Sequence, residues 1–223
     1  SAVYVDPDIA HAMQELGVKD CKQLTDKAVF FIGAKTRQLL GPKRFALVSI
    51  GPEAYNRLYA KMRNVNTMLA WAHARCIENL LDTVPDCPRA VADQFGAKQV
   101  IERALMKKGR KIKLEQRHKA ESDIAVAAAS VLAREAFLRG LGRLGETNGI
   151  QAHKGASEQV KASAVELVKK SGPEILLKTA KCHFKTADQV LAACGHSRAE
   201  LGPEGQAVSR TKDYVPARGR TKA

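Results

Sequence analysis

Two carboxylates thirty positions apart are the residues of this chain best suited to chemistry. One is Asp93, which closes Arg89-Ala-Val-Ala-Asp-Gln-Phe95; the other is Asp123, within Arg117-His-Lys-Ala-Glu-Ser-Asp-Ile-Ala-Val-Ala-Ala-Ala-Ser-Val-Leu-Ala-Arg134. The first ends a short apolar run between Pro88 and Gly96, the pattern of a buried strand whose last side chain emerges at its carboxyl end. The second opens a run of small apolar residues from Ile124 to Leu132 that reads as a helix packed tightly on a sheet, with Glu121 and Ser122 as cap candidates. Taken singly, each acid also suits a plain structural role, a turn former after a strand or a dipole partner at a helix start. As a pair on one rim, approached by Arg117, His118 and Lys119, they suggest a divalent-metal site that meets a polyanion.

The composition agrees with a polyanionic partner. The 223 residues carry a formal charge of +14, with a pI near 9.7, and nucleic acid is the commonest acidic partner of such a chain. Cys21, Cys76, Cys87, Cys182 and Cys194 are odd in number and lack C-x-x-C spacing. That argues against a disulfide framework or a zinc knuckle and for a reducing cytoplasm. No apolar stretch is long enough for a membrane span, and nothing points to an obligate protein partner.

The elements that must position the two acids follow from periodicity and punctuation. A strand is expected at 1–5, a helix from Asp6-Pro7 to a stop at Gly17, and a second helix capped by Thr25 and ended by Gly41-Pro42. A strand over 45–50, a helix over 52–62 and a long helix from Asn64 to about Asp82 come next. Trp71 and His73 lie off the centre of that helix's apolar stripe and read as packing residues. After the strand ending at Asp93, an amphipathic helix is expected over 97–108, then a basic turn (Lys107, Lys108, Arg110) and a strand over 112–115. The basic turn is an ordinary solvated charge run or, beside Arg117-His-Lys119, a phosphate-facing edge. The Asp123 helix runs toward Leu144, with further helices over 157–170, 173–182 and 186–193. Residues 1–145 read as the core, 146–194 as a helical extension of it, and the basic stretch 195–223 as disordered.

This order of elements resembles the type 2 ribonucleases H, and within them ribonuclease HIII, over most of residues 1 to about 193. The resemblance rests on Gly17-Val-Lys-Asp-Cys-Lys-Gln-Leu24, Asn64-Val-Asn66 with Leu69-Ala-Trp-Ala-His-Ala-Arg75 and Glu78-Asn79, Val91-Ala-Asp-Gln-Phe95, Lys119 to Arg134, and Lys181-Cys-His-Phe184. It implies an α/β fold, a ribonuclease H-like mixed sheet flanked by helices with a helical C-terminal extension. The implied activity is endonucleolytic cleavage of the RNA strand of RNA–DNA hybrids by two Mg²⁺ or Mn²⁺ ions held by four carboxylates. Asp93 and Asp123 match two of the four; the family's adjacent Asp-Glu pair on the first, central strand has no counterpart, and the expectation is that this part lies just upstream of residue 1. Lys22 matches a loop lysine that approaches substrate phosphate, although Cys21 stands where the family carries serine. Asn64, Asn66 and Lys119 are further substrate-binding candidates, with helix capping as the alternative for the asparagines, and His183 reads as a packing residue. Three functions compete: a shortened ribonuclease HIII, itself close to inactive; a catalytically inert hybrid-binding module; and a subunit that receives Asp-Glu from another polypeptide.

Overall fold

A computed structural model describes residues 1–208 of the chain. Helices dominate, and the strands are few and short. β1 (Ala2–Val3) and β2 (Phe45–Ala46) form one antiparallel pair, while β3 (Arg89–Asp93) and β4 (Lys113–Arg117) form a separate parallel pair. The expected mixed sheet is therefore present as two ladders, one of each sense, that do not bond to each other. The strand expected over 45–50 stops at Ala46. The ladder pairs Ala2 with Ala46 and Val3 with Phe45.

Local capping sets most helix boundaries. α1 (Pro7–Glu15) starts where the Asp6 carboxylate accepts the Ile9 N–H at 2.9 Å, and Gly17 beyond it adopts φ 79°. Thr25 caps α2 (Asp26–Leu40) through Ala28 N–H at 3.2 Å, and Gly51-Pro52 opens α3 (Pro52–Met62). Asn64 caps α4 (Val65–Leu81) through Thr67 N–H at 3.1 Å. A side-chain acceptor at such a position satisfies an amide that the helix itself leaves unpaired.

The helix expected over 97–108 is only α5 (Lys98–Ala104). Glu78 of α4 accepts the N–H groups of Lys108 and Gly109 at 2.9–3.0 Å, which draws the chain off the helical path after Leu105. Burial alone would raise the Glu78 carboxyl, but those two amides, with Lys108 and Arg75, hold it below the usual carboxylate range.

α6 (Ile124–Asn148) is the longest helix, and its small residues let it sit deep in the molecule: Ala127, Ala128, Val131 and Leu132 are buried against Met13, Val18, Ile32 and Leu40. A second buried cluster, Ala70, Ala74, Ile77, Leu81, Ala92, Ile101 and Leu105, joins α4, α5 and β3. Where α2 meets α6, Glu135 is buried at 1% exposure and accepts from Arg37 at 2.9 Å and Arg139 at 2.8 Å. Gly33 faces it, and an added Cβ would stand 2.8 Å from a Glu135 carboxylate oxygen.

The rest is helical: α7 (Glu158–Ser171), α8 (Ile175–Thr179), α9 (Lys185–Ala193) and α10 (Gly202–Gln206). The stretch beginning at residue 195, expected to be disordered, contains a 3-10 turn over Arg198–Leu201 and then α10. Arg198 holds this segment in place, donating to Asp188 at 2.7 Å, to Gly205 C=O at 2.7 Å and to Cys182 C=O. The remainder of that expectation, from residue 209, lies outside the described residues.

His183 is buried at 3% exposure, stacked with Tyr55 and Tyr59 and tilted against Phe184, and neither ring nitrogen has a hydrogen-bond partner among the described residues. Burial first, then Lys181 and Arg198, push its pKa down to about 4. An unfolded histidine titrates near 6.5, so between these values the unfolded chain binds the extra proton. The stability due to a neutral His183 is therefore complete above about pH 6.5 and lost as pH falls toward 4, about 3 kcal/mol in all. Urea midpoints measured from pH 7 to 4.5 should fall less steeply in His183→Phe than in the parent; parallel curves would contradict this.

Candidate active site

The carboxyl end of β3 and the amino end of α6 meet because the chain between them is short and tightly folded. β4 runs parallel to β3 with Asp93 opposite Arg117, and Gln94 N–H extends the pairing to Arg117 C=O at 3.0 Å. The chain then reverses through Lys119, one of two non-glycine residues in the left-handed region among the described residues (φ 55°, ψ 41°), into a 3-10 turn over Ala120–Ser122. Ser122 N–H and hydroxyl both donate to Lys119 C=O, and Asp123 N–H donates to Ala120 C=O at 2.9 Å. A side chain with Cβ is strained at such a φ and persists only where its surroundings hold it.

This reversal brings the two acids together. Asp93 Oδ1 accepts the Ala120 N–H at 3.4 Å, and Asp123 Oδ1 accepts the Ala125 N–H at 3.0 Å as the N-cap of α6. Both residues line one cavity of about 500 Å³. Asp123 also borders a second, more open groove of about 710 Å³ lined by Lys19, Asp20, Arg89, Lys119 and Glu121. It stands where the two spaces adjoin.

The candidate substrate residues divide. Lys22 is exposed and lies 3.8 Å from Glu121 and 3.9 Å from Asp20, beside the turn that carries Asp123. Its loop is fastened to α6, because Cys21 N–H donates to Ser130 Oγ at 3.2 Å, so the backbone amide finds its partner on the helix. Lys119 is exposed on the same groove. The side-chain oxygen of Asn64 is engaged in capping. Asn66 is exposed near Gly96, just past β3, its amide nitrogen 3.5 Å from where a Gly96 Cβ would stand. The basic turn lines neither cavity: Lys108 pairs with Asp82, and Arg110 donates to Leu105 C=O at 2.8 Å.

Three neighbours of the acids were not legible as such in the sequence. His73 lines the 500 Å³ cavity and packs on Phe95 at 5.1 Å between ring centroids. Burial lowers its pKa to about 4 against the pull of Asp93, so it is neutral at pH 7. Glu121 is the partner of Lys22, and Arg89 reaches both cavities. The spacing of His73 from Ile77, one helical turn, is the only local hint of a shared face. On β4, Arg117 and then Lys113 hold Glu115 down to about 2, and Arg117 is itself raised, first by Glu115 and also by Asp123.

Chemically, two carboxylates on one rim suit a hard divalent cation that keeps most of its waters. Among the described residues no group of three or more His, Cys, Asp or Glu side chains is close enough to hold a metal ion. These two supply part of such a site, and a pair of ions, whose mutual repulsion calls for more negative charge, would need further ligands.

Comparison with known proteins bears on this geometry. The family model described as Ribonuclease HII matches residues 1–187. Ribonuclease HIII of Protochlamydia amoebophila is 38% identical over 195 residues, covering 87% of this chain and 64% of that protein. Ribonuclease HIII of Chlamydia pneumoniae is 40% identical over 192 residues, 85% of this chain and 63% of its own length. The crystal structure of Bst-RNase HIII in complex with Mn²⁺ superposes with a TM-score of 0.78 at 28% identity, over 86% of this chain and 63% of that one. The chain thus spans a little under two thirds of the length of these relatives.

Proposed function

The chain belongs to the ribonuclease HII family, and from that premise we propose that it binds RNA–DNA hybrids and hydrolyses their RNA strand at the rim shared by Asp93 and Asp123. The observation that carries this reading is that the end of β3 and the cap of α6 deliver both carboxylates to one cavity, next to a groove lined by Lys19, Arg89, Lys119 and Glu121, the last 3.8 Å from Lys22. Asp93 and Asp123 would hold Mg²⁺ or Mn²⁺, and the ion when bound supplies an activated water and neutralises charge on the leaving oxygen. The protein's own part is positioning: the α6 cap fixes Asp123, the Ala120 amide restrains Asp93, and the lysines hold the phosphate backbone. Asn66 is placed to donate to a phosphate or sugar oxygen, and Asn64 keeps only its amide group for that purpose.

Hydrolysis with two ions would need carboxylates beyond this pair. For that reason a second reading, a hybrid-binding module without cleavage, is also carried by an observation, the lack of a third acidic ligand among the described residues. A cleavage assay on labelled hybrid, single-stranded RNA and DNA duplex with Mn²⁺ separates the two. Metal-dependent cuts confined to the RNA strand of the hybrid support the enzyme, and tight hybrid binding with an intact RNA strand supports the module. Among the described residues no helix is long and apolar enough to cross a membrane, and all five cysteines are free, which suits the reducing cytoplasm in which we place the protein.

Salt dependence tests the groove. If Lys22 and Lys119 contact phosphates, hybrid affinity should fall steeply with salt, with a log-log slope of roughly 0.7–0.9 per phosphate. Lys22→Ala or Lys119→Ala should weaken hybrids of all sequences alike and each reduce the slope by about one contact. A flat salt response, or a slope unchanged in both variants, would remove these lysines from the nucleic-acid path.

A further inference from the structure

One face of the β3–β4 ladder is charged. Side chains alternate along a strand, and the parallel register sets Arg89 beside Lys113, Val91 beside Glu115 and Asp93 beside Arg117 on that face. The opposite face carries Ala90, Ala92 and Leu114, which belong to the apolar cluster around α4 and α5. Glu115 gathers the cations of its face. Arg117 donates to it at 2.5 Å, Lys113 Nζ lies 3.1 Å away and an Arg89 nitrogen 3.7 Å away.

Arg117 has two carboxylates within reach of its strand position. Neighbouring strands lie about 4.8 Å apart, whereas residues two positions apart along one strand are separated by about 6.6 Å, so the backbone of Asp93 is the nearer of the two. The half-exposed guanidinium nonetheless turns along β4 to Glu115. Asp93 has no ion-pair partner among the described residues, and the bond it accepts from Ala120 N–H is 3.4 Å long. Arginine engages a carboxylate through a planar fork of N–H groups, which takes up the lone pairs that a metal ion would use. An arginine on Asp93 would also bring a full positive charge to the place of the cation. Glu115, held down to about 2 by Arg117 and Lys113, is ionised near neutral pH and competes for Arg117 there at full charge.

We propose that Glu115 is a positioning residue of the candidate metal site: by binding Arg117 along β4 it keeps that guanidinium off Asp93 and leaves the carboxylate open to the ion. Lys113 and Arg89 hold Glu115 in turn. Glu115 touches neither ion nor substrate in this role; it acts through Arg117. This rests on the reading of Asp93 as a metal ligand. Its first test uses no metal, nucleic acid or cleavage, so the failure of one is distinguishable from the failure of the other.

That test is a crystal structure of Glu115→Gln grown without metal. Glutamine keeps the size of the side chain and removes its charge, so Arg117 is expected to turn across the ladder and bond Asp93. A guanidinium still directed along β4, or out into solvent, overturns the proposal. Calorimetry with Mn²⁺ on the parent, both single variants and the double variant follows, with circular dichroism to compare their folds. Glu115→Gln should weaken Mn²⁺ about fivefold, the size of a partly exposed arginine–carboxylate pair. Arg117→Gln alone should leave affinity within about twofold, and adding it to Glu115→Gln should restore that level, because residues in one ion-pair network couple rather than add. A charge acting only through its long-range field gives a different pattern, in which Glu115→Gln weakens Mn²⁺ by the same factor with or without Arg117. That additive result overturns the proposal. So does an approximately fivefold gain from Arg117→Gln alone, which would mean that Arg117 already occupies Asp93; this arm decides even if Glu115→Gln does not fold. A parent that binds no Mn²⁺ removes the metal reading of Asp93 and the role of Glu115 with it, while the crystal structure still reports whether Glu115 governs Arg117.

Discussion

Asp123→Asn and Asp93→Asn should each lower metal-dependent cleavage of the RNA strand by about a thousandfold while hybrid affinity and thermal midpoint stay near the parent values. An ion that activates water and stabilises a leaving oxygen contributes several kcal/mol to the transition state, and about 4 kcal/mol corresponds to three orders of magnitude. Asparagine is chosen because it caps a helix about as well as aspartate, so the bond from Asp123 to Ala125 N–H has a replacement and α6 keeps its start. Should the parent cleave too slowly to be followed, calorimetry with Mn²⁺ carries the same test. One weak ion is expected per parent chain and none in either variant. Two tight ions, or cleavage unchanged in both variants, would mean that the ligands lie elsewhere.

A large loss of stability is expected from Asn56→Leu. Asn56, on α3 and 2% exposed, donates to Leu177 C=O at 3.0 Å and Ala180 C=O at 2.9 Å, and accepts from Cys182 N–H at 3.0 Å. Three backbone groups at the end of α8 thus depend on one side chain. An apolar replacement strands them away from water, and a buried polar group without a partner costs about 1–3 kcal/mol. The sum, about 3–5 kcal/mol, lowers the thermal midpoint by about 10 °C in a domain of this size. Asn56→Asp should fare no better, since it faces two carbonyl oxygens with a carboxylate. Urea denaturation of both variants, with exchange rates for the amides of 176–182, checks this; a change under about 1 kcal/mol would show that water or a repacked α8 takes over the contacts.

Features set by neighbours in sequence were legible; features set by partners far along the chain were not. The Thr25 cap, the capping alternative for Asn64 and the stop at Gly17 are each read from one or two residues, and the structure has all three. The strand over 45–50 failed beyond Ala46 because strand formation depends on a partner, and β1 pairs only two residues. The helix over 97–108 was cut short by Glu78, thirty positions upstream of Lys108. At the site, the pattern around Asp93 and Asp123 was enough to expect them on one rim. The closeness of Lys22 to Glu121 was not readable, since it depends on the left-handed turn at Lys119 and on the anchoring of the Cys21 loop to Ser130. The ordered segment over 198–206 was missed because its order comes from the multiple bonds of Arg198 rather than from any helical period.

The two acids sit on supports of unequal depth. Asp123 caps a helix whose Ala127, Ala128, Val131 and Leu132 are buried against α1 and α2, and whose Glu135 is gripped by two arginines. Asp93 ends a five-residue strand bonded, among the described residues, to one neighbour. Proteins open in cooperative units, and a unit with fewer buried neighbours opens at lower free energy. In hydrogen-exchange terms, the α6 half of the site opens only with global unfolding, whereas the β3–β4 ribbon has a cheaper subglobal route. The site is a fixed post facing a hinged one.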